Sequence, residues 1–302
     1  MVLVTGGAGF IGSHVCEALL AQEERVRVLD NLASGKRSNL EGLDVELIEG
    51  DIRSESDLDG ALVGVDAVVH LAAEPSVAKS VEDPVSTHEI NYTGTLKVLE
   101  AMRRANVSRI VYASSAAIYT PNSEEPHTEV SAPDPTSPYG MDKLAGEFAL
   151  RAYGRLHGFK PTSLRFFNIY GERQDPASPY SGVISIFARR IADEAPLRVF
   201  GDGMQSRDFV YVKDLAALIA RLVRDEEAPG LMNVGKGQSA TLMDLVAALE
   251  KATGKKASVE HAAPRAGDIR VSRAGVDRLQ AYGATVWTPL EDGLARLVAA
   301  GG

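Results

Sequence analysis

One cysteine in 302 residues, Cys16, leaves nothing from which to build a disulfide framework or a multi-cysteine metal site. The six histidines show no H-x-x-x-H or comparable spacing, so no metal is expected. Positive charge is scarce as well. Thirty-two Lys and Arg stand against 41 Asp and Glu, a net −9, which argues against a nucleic-acid-binding surface. Any anionic ligand must therefore be held locally, by a few arginines or by backbone amides. No apolar run is long enough to span a bilayer. The opening "MVLVTGG" reads as a strand and not as a leader, so a cytoplasmic location without a membrane partner is expected. There is no internal repeat and no low-complexity tract. What remains, 45% hydrophobic and 24% charged residues, is the composition of an ordinary globular protein with ample core.

The first half of the chain alternates short β-branched runs with helical patterns. Residues 2–5, 25–30, 44–50, 66–72 and 109–114 are nearly continuous in hydrophobicity, as parallel strands buried on both faces are. Between them, 10–22 and 91–106 carry apolar residues at helical spacing. A long helix is expected from Ser137 to about His157, then a strand near 161–167. Such alternation predicts an α/β fold with a Rossmann-type, doubly wound parallel sheet. After a Pro- and Ser-rich loop at 172–182 the pattern changes. A strand at 197–201, a helix near 213–224, a strand at 231–235 and a helix near 241–253 read as a smaller, interleaved second domain.

Four motifs carry chemistry. In "TGGAGFIG" (5–12), Gly6, Gly9 and Gly12 follow the first strand and open a helix, with Phe10 and Ile11 between them. Glycines there allow a tight turn and let a pyrophosphate approach the helix N-terminal amides. Asp30, ending the second strand, suits the ribose hydroxyls of NAD and repels the 2′-phosphate of NADP. Lys36 and Arg37 could instead hold such a phosphate, or simply be a solvated loop. Asp51 and Ile52 after the third strand, and Leu71, Ala72 and Ala73 in "HLAA" after the fourth, sit where open sheets bind ligands, or are ordinary turns.

The third motif is "SPYGMDK" (137–143). Ser137 suits an N-cap and Pro138 the first helical position. Residues four apart share a helix face, so Tyr139 and Lys143 become neighbours. An ammonium and the positive helix end both favour phenolate, so the pair reads as a tuned general base. A surface tyrosine sharing a face with a solvated lysine is the alternative. Ser115 in "SSAAIY" (114–119) closes the fifth strand and is either a hydrogen-bonding partner for a reacting oxygen or a polar strand end.

With these motifs, "LDNLASG", "LRFFNIYG" and "QSRDFVYVKD" in order along essentially the whole chain, the sequence resembles the extended short-chain dehydrogenase/reductases. It is most similar to nucleotide-sugar 4-epimerases of the UDP-glucose 4-epimerase kind. The resemblance implies an isomerase that uses NAD and inverts C4 of a UDP-hexose through a 4-keto intermediate. The sugar is left open among the hexose, N-acetylhexosamine and uronate forms. It implies Ser115, Tyr139 and Lys143 as the catalytic set. The glycine loop, Asp30, Asn31, Asp51, Ile52, Leu71, Ala72, Ala73 and Asn91 become cofactor contacts, with Tyr139 and Lys143. Phe166, Asn168, Arg207, Arg265 and Asp268 become contacts of the nucleotide-diphosphate sugar, and Ser272 a residue of the sugar pocket. It further implies an NAD-binding domain over 1–168 with returning segments near 206–230 and 262–278. The sugar-binding cap would then occupy mainly 169–302. A homodimer through the helices at 91–106 and 138–157 is implied too.

Related dehydratases carry an Asp-Glu pair after the catalytic Ser/Thr, where this chain has Ala116 and Ala117. Related decarboxylases keep the Glu, and 3,5-epimerase/reductases have a Cys near that place. An NAD-dependent dehydratase or reductase, an epimerase of a dTDP-linked or other nucleotide sugar, and a non-catalytic dinucleotide-binding regulator remain the alternatives. Two departures from the family pattern are Thr120, where a glycine is usual, and Gly275, where an Asp commonly follows Ala.

Overall fold

In a computed structural model that describes residues 1–120, 125–175, 182–264, 269–283 and 287–301, the expected strands form one sheet. They are β1 (Val2–Thr5), β2 (Val26–Asp30), β3 (Val45–Glu49), β4 (Ala67–His70), β5 (Arg109–Ser115) and β6 (Lys160–Phe166), with Leu231–Val234 as the seventh. Their order is Leu231–Val234, β6, β5, β4, β1, β2, β3. The chain thus starts in the middle and winds outward in both directions, and β1 pairs in parallel with both β2 and β4. The crevice at the carboxyl ends of β1 and β4, where the order reverses, is where such sheets bind ligands. The central strands are mostly apolar because both faces are covered: β1, β2 and β4 are buried at every position.

The helices of this unit are α1 (Phe10–Leu20), α2 (Glu55–Ala61), α3 (Val77–Glu82), α4 (Pro84–His88), α5 (Gly94–Arg104) and α6 (Pro138–His157). One core gathers Leu3, Leu29 and Ile110 of the sheet with Leu58 of α2, Leu99 and Met102 of α5 and Leu150 of α6. The helix expected at 91–106 starts earlier. Asp83 caps α4 by accepting from Ser86 N–H at 3.2 Å, with Pro84 in the first turn, and a π-helical turn at Glu89–Thr93 joins α4 to α5. The capping proline, and not the apolar stripe, sets where this helix begins.

The chain divides into two units, Met1–Ile118 with Pro133–Arg165 and Ala216–Met232, and Tyr119–Ala132 with Phe166–Leu215 and Asn233–Gly302. The returning segment is therefore 216–232, while 206–215 and 262–278 lie in the second unit. That unit has its own core, built from Tyr170, Phe187, Leu197, Tyr211, Leu245 and Leu297. Its strands are short. Asn168–Tyr170 runs parallel to Phe209–Tyr211, Leu197–Phe200 parallel to Val259–Ala262, and Ser206–Arg207 is flanked by Ala240–Thr241 and Val271–Ser272. Within it Tyr119 stacks on His127 at 4.6 Å and donates to Asn233 Oδ1 at 2.6 Å. The departure at Gly275 has its reason here: its N–H donates to His127 O at 2.6 Å, and a Cβ would lie 2.7 Å from Thr128 Cγ2. An Asp would not fit against this segment. Thr120 is half-buried in the same unit.

Candidate active site

The glycine loop leaves β1 at Thr5 and enters α1 with Gly9 as N-cap and no acidic side chain in the first turn. The loop folds back so tightly that a Cβ on Gly12 would overlap the Gly6 carbonyl oxygen. Bare amides at a helix N-terminus, free of competing carboxylates, fit a pyrophosphate. Asp30, 7% exposed, accepts from Ala8 N–H at 2.9 Å and from Leu32 N–H at 2.8 Å. The first bond fixes the carboxylate against the glycine loop and the second against its own turn, a placement suited to a ribose contact. Arg37 pairs with Glu49, which takes up the guanidinium that a 2′-phosphate would need. These residues fit NAD.

Asn31 and Asp51, from different strand ends, meet: Asn31 Nδ2 donates to Asp51 Oδ2 at 3.0 Å. Arg53 grips the same carboxylate through Nε and Nη2, at 2.9 and 2.7 Å, and holds it well below the usual carboxylate range. Ile52, by contrast, is 5% exposed, with its side chain in the core beside Gly94. Asp51 is therefore the member of this pair whose side chain can face a ligand.

The loop Leu71–Ala73 after β4 is held by a relay that sequence reasoning missed. Register places Thr5 beside His70. Thr5 Oγ1 lies 2.7 Å from His70 Nδ1, and His70 Nε2 lies 3.0 Å from Thr95 Oγ1, which itself donates to Asn91 O at 2.6 Å. Thr95 having spent its proton, Nε2 must be the donor and Nδ1 the acceptor. The histidine is neutral, and burial lowers its pKa to about 3. Thr5 Oγ1 in turn accepts from Ala72 N–H at 3.3 Å. Asn91 is tied to the same loop: its amide accepts from Glu74 N–H at 2.8 Å and donates to Glu74 O at 3.0 Å. It shapes the loop that follows β4.

α6 begins as its sequence dictates. Ser137 Oγ accepts from Gly140 N–H at 3.2 Å and Pro138 takes the first turn. Ser115, Tyr139 and Lys143 come together beside the carboxyl end of β5. The Ser115 hydroxyl accepts from Ala117 N–H at 3.1 Å, so its own proton is available for the Tyr139 oxygen, to which it is hydrogen-bonded. Lys143 is buried; its Nζ donates to Ala113 O at 2.9 Å and lies 5.8 Å from the Tyr139 ring centroid. The electrostatics correct one expectation. Burial pushes the Tyr139 phenol up, opposed by the Ser115 bond, and also lowers Lys143 to about 8. At the phenol, desolvation is the larger effect and the Ser115 bond the smaller. A cationic group beside the phenol, such as an oxidised nicotinamide, would have to supply the remaining stabilisation of phenolate.

A second missed cluster anchors the triad. Glu147, one turn beyond Lys143, accepts from Arg165 Nε at 2.9 Å and Nη2 at 2.8 Å, and from Ser114, all buried. It ties α6 to β5 and β6 beside the catalytic residues. Among the described residues no group of three His, Cys, Asp or Glu could hold a metal, and no helix is long and apolar enough to cross a membrane.

In the second unit, Asn168 is exposed and Arg207 half-buried, the latter donating to Ser206 O and Ile269 O at 2.9 and 2.7 Å. Ser272 is the register partner of Arg207, and partners in adjacent parallel strands point to the same face. Phe166 is half-buried at the end of β6. Arg265 and Asp268 lie outside the described residues. A cavity of about 650 Å³ in this unit, lined by Phe200, Gln205, His261, Pro264 and Arg270, was not anticipated.

Residues 2–235 match the model of the NAD dependent epimerase/dehydratase family. The chain belongs to that family. Its cofactor is NAD, as the glycine loop and Asp30 require. Among the family's members, a UDP-glucose 4-epimerase of Mycolicibacterium smegmatis is 35% identical over 98% of this chain and 96% of its own. The crystal structure of a Thermotoga maritima UDP-glucose 4-epimerase with UDP-glucose superposes with a TM-score of 0.93 at 36% identity, covering 99% of this chain and 97% of that one. The UDP-glucose 4-epimerase of Thermus thermophilus, in complex with NAD, gives 0.91 at 40% identity over 99% and 98%.

Proposed function

We propose that the protein is an isomerase that inverts C4 of a UDP-hexose, UDP-glucose and UDP-galactose first among them. The observation that carries this reading is the convergence of Ser115, Tyr139 and Lys143 at the carboxyl end of β5, with alanines at 116 and 117 where elimination chemistry would need a further acid and base. When bound, NAD supplies a hydride acceptor and donor. Tyr139 holds or releases the O4 proton, Ser115 donates to the reacting oxygens, and the Lys143 charge favours phenolate. Because the chemistry is redox-neutral, no added cofactor is consumed.

In the second unit, Asn168 and Arg207 are assigned to the diphosphate, since charge-assisted donors are needed in a chain of −9. The cavity at Phe200 and Gln205 offers an aromatic face and a polar wall, as a nucleobase pocket does. A cytoplasmic homodimer belongs to the same reading. Its supporting feature is a set of exposed apolar residues, Val77, Val81 and Val85 on α3 and α4 with Met141 and Phe148 on α6. The last turn of α5, by contrast, exposes Arg103 and Arg104.

The test is to incubate the purified protein with UDP-galactose and, separately, UDP-N-acetylgalactosamine, without added cofactor. C4 inversion supports the reading. A dehydrated 4-keto product, or no conversion of any nucleotide sugar by protein that carries NAD, would overturn it.

A further inference from the structure

Register across three strands brings Thr5, His70 and Tyr112 into one row, so their side chains leave the sheet on the same face. The row continues into the catalytic set. His70 lies against Tyr112, ring centroids 5.7 Å apart, and the Lys143 ammonium lies 5.2 Å from the Tyr112 centroid on the way to Tyr139. Tyr112 is 1% exposed. Its ring is admitted by an absence on α6: a Cβ on Gly146 would overlap the Tyr112 hydroxyl. The chain thus gives up a side chain in the middle of a helix, at a cost of helix stability, to let a large aromatic lie under the lysine.

What that ring supplies is electrostatic. A buried ammonium has lost its hydration, and burial accordingly lowers the lysine's affinity for its proton. The groups that face it are the Ala113 carbonyl and Tyr112 on β5, His70 on β4, and Tyr139 and Asp142 on α6. His88 of α4 bonds Asp142 at 2.6 Å, and the Glu147–Arg165 pair lies one turn further along α6. His70 is neutral, and Glu147 is matched by Arg165. Besides the Ala113 carbonyl, the negative face of the Tyr112 ring is the group on the sheet side that favours the charged amine.

We propose that Tyr112 is a positioning residue for the acid–base pair, its ring face holding the Lys143 ammonium charged and directed toward Tyr139. The proposal rests on Tyr139 acting as the base. Loss of ring electron density should leave Lys143 less often charged and the phenolate less stabilised. The acid limb of the kcat/KM profile then moves up and the alkaline limb down, so the bell narrows from both sides.

The experiment uses the full chain with its bound NAD. Tyr112→Phe is made first, then 3,5-difluoro- and 3,4,5-trifluorophenylalanine are placed at 112, which keep the ring's shape while draining its face. Tyr112→Phe should retain the parent profile. The trifluoro variant should shift the limbs by roughly half to one pH unit, from the usual worth of such contacts, with melting temperature and NAD content unchanged. Limbs that stay fixed across the series, or that move apart, would overturn the role of Tyr112. The control is Tyr139→Phe. If it is inactive while the limbs stay fixed, only the Tyr112 inference fails; if it keeps turnover, the base assignment fails and takes this inference with it.

Discussion

Gly140 and Ala117 touch backbone to backbone: a Cβ on Gly140 would run into the Ala117 carbonyl oxygen and come within 2.9 Å of Pro135 Cβ. This close approach seats the first turn of α6 on the turn Ala116–Ile118, and so sets Tyr139 against Ser115. Gly140→Ala should therefore push the helix start away and misplace the phenol. A displacement of about 1 Å typically costs on the order of 10²-fold in rate. We expect turnover to fall by roughly that factor, with NAD still bound through the glycine loop. Single-turnover kinetics beside NAD quantitation checks it; wild-type turnover would show that the contact is mere packing.

Tyr139→Phe removes the proton-carrying oxygen and leaves the ring against Lys143. The expected loss is about 10²–10⁴-fold in kcat, the worth of a positioned acid–base group, without loss of NAD or of melting temperature. Steady-state rates on the preferred UDP-sugar decide it, and a variant within a few-fold of the parent would remove Tyr139 from the mechanism.

His70 carries a pH prediction. Its pKa is about 3 in the folded chain, against an ordinary value near ~6.5 once unfolded. Between those values the unfolded state binds the proton and the folded state does not, so stability is full above the upper one and drains away as pH falls. The slope is at most about 1.4 kcal/mol per pH unit. His70→Asn, which does not titrate, should be less stable than the parent at pH 7, and the gap should close toward pH 4. Urea midpoints of both proteins across that range test this; a gap that stays constant would mean the histidine is not neutral in the fold.

The sheet and the triad were legible because they obey local rules. β1, β2 and β4 are mostly apolar because they are buried at every position, and Ser137-Pro138 caps α6 as its sequence says. The two-residue strands Ser206–Arg207 and Val271–Ser272 were not legible, since two residues carry no period. Nothing in the sequence marks Glu147; only its pairing with Arg165, 18 residues on, reveals a buried clamp. The direction of the Tyr139 shift was also beyond the sequence, because local charges can be read from spacing but the depth of burial cannot. The bonds from the Asn91 side chain to the backbone of Glu74 were not legible either, since backbone partners have no sequence signature.

Ser272 bears on which sugar is accepted. In related epimerases a tyrosine at this place lines the sugar pocket and excludes a 2-acetamido group, while a small residue leaves room. Here Ser272 is paired with Arg207 in neighbouring strands, so the two side chains share a face, and Arg207 is the residue assigned to the diphosphate. A serine at that place would give up a large aromatic volume and leave room for an acetyl group. Admission is not preference: a missing group in a roomy pocket changes discrimination by only ~1–3 kcal/mol. The wild-type protein should accordingly epimerise UDP-glucose and UDP-galactose and also turn over their N-acetylated counterparts within roughly two orders of magnitude. Ser272→Tyr should abolish the acetamido activity and spare the other, because the ring fills space that only the acetyl group uses. Measuring kcat/KM for both sugar classes in both proteins decides the matter. A wild type that ignores acetamido sugars, or a tyrosine variant that still converts them, would place the gate at another residue.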